Sequence, residues 1–129
     1  MNVALIAAGS LAILGTAVHG VAGEVLVVRK LAPAMLPPSR FGGPKLTKTM
    51  IHATWHMTTI AFLTVGCALL LAGSVLHDEA AQAVALLAAG ASTAFAALAV
   101  AMGSTRSLFR HPAPILLTVT AALAWWGAL

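Results

Sequence analysis

The sequence predicts an all-α fold: a four-transmembrane-helix bundle of up-down topology, forming one integral membrane domain over 1–129 with the N-terminus and C-terminus both outside. Three observations carry it: a composition too apolar for water, four apolar runs of near-membrane length, and basic residues confined to two of the three connections.

Of the 129 residues, 60% are hydrophobic and 8% are charged, and the mean hydropathy is +0.99. A soluble domain of this size hides its apolar residues behind a charged shell of roughly a quarter of the chain. Seven Lys and Arg with three Asp and Glu cannot supply that shell, so the expected partner is the lipid bilayer. The net charge of +4 does not point to nucleic acid, because the basic residues fall in loops between apolar spans and form no aromatic-interleaved groove. Cys67, the single cysteine, sits inside an apolar run, which excludes an internal disulfide and a Cys-built zinc site.

A membrane-spanning helix needs about 20 mostly apolar residues. Helices are therefore expected over about 2–28, 49–76, 80–103 and 112–129. The first run lacks the positively charged start of a secretory signal and reads as a retained span. Between the first two spans, segment 29–48 holds Pro33, Pro37, Pro38, Gly42, Gly43 and Pro44 and is expected to be an irregular loop. The polar turn His77-Asp78-Glu79 makes spans two and three an antiparallel hairpin, with its acids favouring the start of span three. Pro112 suits the first turn of span four. Gly66, Gly73, Gly90 and Gly103 are expected to permit close helix packing.

Arg29, Lys30, Arg40, Lys45, Lys48, Arg106 and Arg110 all lie in the first and third connections. The positive-inside rule then puts those connections in the cytoplasm and the chain in the cell inner (cytoplasmic) membrane, with Trp125 and Trp126 in the outer aromatic belt.

Four of the five histidines, His19, His52, His56 and His111, belong to the cytoplasmic half although they come from three spans. Ionisable groups in a bilayer are costly and usually face the bundle interior. With Arg29 and Lys48 as the boundary, His19 and His56 lie roughly 15 and 12 Å inward, and Glu24 and His52 roughly 7 and 6 Å. Thr49, His52, His56 and Thr59 recur at spacings of three and four, which places them on one stripe. Gly15, His19 and Gly23 share a face, while Glu24, five residues from His19, sits off that line.

This pattern supports three readings. In the first, His19, Glu24, His52 and His56 bind a transition metal ion, iron, zinc or copper, with His111 as a further candidate that its place before Pro112 makes better suited to an interfacial cap. HExxH is absent, because the His52 to His56 interval encloses no carboxylate. In the second, His19 and His56 are the axial ligands of a b-type haem. In the third, these side chains hydrogen-bond between helices and fix packing without any ligand. Glu24 has an alternative partner in Lys48 or Arg110, and Trp55 reads as an interface or packing residue.

With His19-Gly20-Val21-Ala22-Gly23-Glu24 near the end of span one and Trp55-His56-Met57-Thr58-Thr59 in span two, the chain resembles a family of small four-helix bacterial integral membrane proteins with no established activity. The resemblance covers mainly spans one and two, directs attention to His19, Glu24 and His56, and implies no reaction. Two classes of function follow: a metal-binding membrane protein, or a non-enzymatic accessory subunit of a larger membrane protein complex.

Overall fold

The computed structural model describes residues 1–40, 42–103 and 111–129 and is all-α. Among the described residues four long helices make up the fold: α1 (Val3–Lys30), α2 (Pro44–Ser74), α3 (Asp78–Met102) and α4 (Ala113–Ala128). Among the described residues there is no strand, only an isolated bridge between Ser39 and Gly42. The third connection, with Arg106 and Arg110, lies outside the described residues.

Helices α1, α2 and α3 are long and apolar enough to cross a membrane. Helix α4 has 16 residues, or about 24 Å of rise against a hydrocarbon core of about 30 Å, so it is shorter than the span expected at 112–129. Large apolar side chains on all four helices remain exposed, including Val21, Met57, Leu87 and Trp126. Such a surface suits acyl chains rather than water.

Two boundaries differ from expectation. Helix α2 begins at Pro44, so Lys45 and Lys48 are helical rather than in the loop. Proline's fixed φ and missing N–H cost nothing at a first helical position, and the Pro/Gly density there marks a helix start as well as a loop. Helix α1 is not uniform: an α segment Val3–Ala17 passes into a π segment Val18–Ala22, a short α turn Gly23–Leu26 and a 3-10 turn Val28–Lys30.

The chain divides into two compact units. One comprises Met1–Gly15 and Phe62–Leu129. Its core is Leu5, Ala8, Leu69, Ala72, Ala85, Ala88, Ala89, Ala124 and Ala128, mostly alanines that let helix backbones approach closely. Antiparallel neighbours recur: Asn2 N–H donates to Gly73 O, Asn2 Nδ2 to Gly127 O, and Trp125 Nε1 to Thr93 Oγ1. Phe62 and Phe95 meet edge to face at 4.5 Å, which pairs α2 with α3 as the short turn requires. Gly66 and Gly73 do permit close packing, against Ile13 and Leu5 respectively. Gly90 does not: a Cβ there would meet open space, because it lies on the exposed face of α3.

The other unit is Thr16–Ala61. It holds the second half of α1, the connection 31–43 and the first half of α2, and it contains four of the chain's polar candidates: His19, Glu24, His52 and His56.

Candidate metal centre

The π segment of α1 decides which side chains of unit Thr16–Ala61 face α2. In it the Gly23 N–H reaches back five residues to Val18 O, so one extra residue is accommodated in the turn. A uniform 3.6-residue period would separate His19 and Glu24 onto different faces. With the extra residue both face α2, which corrects the expectation that Glu24 sits off the His19 line.

Two glycines open the way. A Cβ on Gly23 would lie 2.2 Å from Trp55 Cζ2, and one on Gly20 would lie 2.8 Å from Thr59 Cγ2. Trp55 therefore lies directly on the α1 backbone. Its indole stacks on the His19 ring at 4.2 Å and 8°, and its Nε1–H donates to His19 O at 3.1 Å. Trp55 is thus the platform on which His19 rests, a role that its Gly23 and His19 contacts explain and that its aromatic character alone did not reveal.

His19 has its own hydrogen bond. Thr59 Oγ1 gives its proton to Trp55 O at 3.0 Å, so it accepts from His19 Nδ1–H, also at 3.0 Å. That assignment leaves Nε2 as the unprotonated ring nitrogen of a neutral His19.

The ligand-like grouping lies elsewhere. Glu24 Oε2 is 3.1 Å from His52 Nε2 and 3.7 Å from His56 Nε2, and the two Nε2 atoms are 3.0 Å apart. These three residues are the group of metal-ligating type that the described residues bring together; His19 and His111 are not part of it. His19 is not paired with His56 as matched depths suggest, because α2 starts a turn before Lys48. Glu24 meets both His52 and His56, and His19 meets Thr59. His111 accepts from the Ala113 N–H through Nδ1 at 3.3 Å and so caps the first turn of α4.

The carboxylate of Glu24 is divided between two tasks. Oε1 accepts from Arg29 Nε at 3.2 Å, so among the described residues the ion pair is made with Arg29 and not with Lys48, while Arg110 lies outside the described residues. Oε2 is buried and receives no hydrogen bond in proper geometry. An orphaned buried acceptor costs about 1–3 kcal/mol unless a cation meets it. The two Nε2 atoms hydrogen-bond to one another, so one carries a proton toward the other, and a metal ion would take that proton's place.

The donor set fits a metal. A point equidistant from the three atoms lies about 1.9 Å from each, against bond lengths of about 2.0–2.2 Å for nitrogen and oxygen ligands on zinc. The spacing of His52 and His56 on a continuous helix holds two corners of the triangle, and the π segment brings in the third. The side chains of His52 and His56 are 46% and 49% exposed, while that of Glu24 is 11% exposed, so the group is closed on the α1 side and open on the other. No protein-family model, curated protein or solved structure matches this chain.

Proposed function

We propose that this chain is a multi-pass protein of the cytoplasmic membrane that binds one transition metal ion through Glu24 Oε2, His52 Nε2 and His56 Nε2. The observation that carries this reading is the convergence of two imidazole nitrogens on a buried carboxylate oxygen that lacks a hydrogen-bond donor. Two nitrogens and one oxygen suit iron, zinc or copper, and three protein ligands leave a position for an exogenous one. An ion held this way acts as a Lewis acid or, if it is redox-active, as an electron carrier. Arg29 fixes the carboxylate by taking Oε1, which turns Oε2 to the imidazoles. By the positive-inside rule, the connection after α1 is cytoplasmic and the site lies in the inner half of the bilayer.

A b-type haem between His19 and His56 is the weaker reading. His52 Nε2 stands 3.0 Å from His56 Nε2, which leaves no room for a porphyrin on that nitrogen.

Elemental analysis and a visible spectrum of the protein purified in detergent test the reading. About one metal per chain is expected, without a Soret band, and both His52→Ala and His56→Ala should lower the affinity by at least about a hundredfold, beyond what loss of an outer-shell contact costs. Metal-free wild type that copurifies with a larger complex would support the accessory-subunit role instead.

A further inference from the structure

Beside the three ligands, unit Thr16–Ala61 holds a cavity of roughly 400 Å³ lined by Glu24, Val28, Arg29, Lys48 and His52. Glu24 and His52 belong to both the cavity and the ligand triangle, so an ion in that triangle borders the cavity.

Two of the remaining linings are cations. Lys48 lies four residues before His52 on α2, hence on the same stripe, and among the described residues it makes no ion pair. Arg29 binds Glu24 through Nε alone and its side chain is 71% exposed, so its Nη nitrogens are not spent on that pair. With a divalent ion in place, Arg29, Lys48 and the ion outweigh the single charge of Glu24 by about three positive charges. Lys48 and Arg29 then repel the metal unless a counter-ion joins them. A neutral fourth ligand leaves that repulsion standing, whereas an anionic one offsets part of it.

We propose that the exogenous ligand of this site is an oxyanion of the phosphate class that completes the metal's coordination while Lys48 and Arg29 hold its remaining oxygens. The inference rests on the metal reading above and adds the ligand class. Metal and oxyanion each tighten the binding of the other, because the coupling between two bound ligands is reciprocal. Lys48 is a specificity residue in this scheme: Arg29 also orients Glu24, so Lys48 is the side chain to change.

The test uses the full chain in detergent, loaded with cobalt(II), whose visible bands report a change of ligand. Inorganic phosphate is titrated at full cobalt loading, and a second arm replaces it with phosphatidic acid or phosphatidylcholine in mixed micelles. A saturable band change with phosphate is expected, weakened about tenfold or more by Lys48→Met and restored by Lys48→Arg. The same change with phosphatidic acid at lower concentration, and not with phosphatidylcholine, identifies a lipid headgroup as the source. A response confined to inorganic phosphate identifies a soluble oxyanion. Cobalt-loaded protein that ignores both probes, or Lys48→Met that titrates like wild type, overturns the proposal while leaving the metal site intact. Protein that takes up no cobalt overturns both, and its metal content shows that separately.

Discussion

In the unit made of Met1–Gly15 and Phe62–Leu129, the buried polar side chains are hydroxyls that turn back on their own helices: Ser92 donates to Ala88 O and Thr120 to Leu116 O. In the unit Thr16–Ala61, the buried ionisable group is Glu24, and one of its oxygens is left without a donor. The first unit spends its small residues on bringing helices together around an alanine core. The second uses Gly20 and Gly23 to seat Thr59 and Trp55 beside His19. The difference teaches where function belongs: among the described residues the first unit's buried hydroxyls are satisfied within their own helices, whereas the second keeps one buried carboxylate oxygen, Glu24 Oε2, open to a cation.

Mutations at matched glycines sharpen that contrast most strongly. Gly23→Ala forces a Cβ into the Trp55 ring and is expected to cost about 1–3 kcal/mol in detergent unfolding, with reduced metal content because Trp55 precedes His56 on α2. Gly9→Ala presses a Cβ to 2.9 Å from Gly66 O and Leu70 N, so a similar loss of about 1–3 kcal/mol is expected, but with metal stoichiometry unchanged. If both variants lose metal equally, the separation of packing from binding is broken.

A smaller effect is expected at His19. His19→Phe keeps a ring on Trp55 and removes the Nδ1–H donor to Thr59, so about 1 kcal/mol should be lost while one metal per chain remains. Loss of metal in that variant would restore His19 to the ligand set. Smallest of all, Gly90→Ala adds a methyl group to open space inside α3 and should raise the unfolding free energy by no more than about 0.5–1 kcal/mol, with metal content unchanged.

Much of this was legible in the residues. Apolar run length pointed to all four helices, and the His52, His56, Thr59 spacing identified the stripe that meets α1, because α2 is a regular α-helix and obeys its period, while Thr49 is exposed and bonds its own helix. Glu24 was harder. Its place beside His52 and His56 depends on a π segment at Val18–Ala22, and a 3.6-residue period cannot register an extra residue in one turn. A glycine pair, Gly20 and Gly23, flanked by β-branched Val18 and Val21 is the local sign of irregularity there, though not of its kind. The early start of α2 was hidden by the ambiguity of Pro44, which ends one element and opens the next. The Trp55 and His19 stack was illegible because it is set by the absence of a side chain at Gly23 rather than by any property of the tryptophan.

X-ray absorption at the edge of the bound metal, on wild type and on Glu24→Gln, reads the proposed coordination directly. Two imidazoles and one carboxylate oxygen at about 2.0–2.2 Å are predicted in the wild type, with the oxygen contribution reduced or the metal lost in the variant. A wild-type spectrum without imidazole scattering, or one that Glu24→Gln leaves unchanged, would contradict the account.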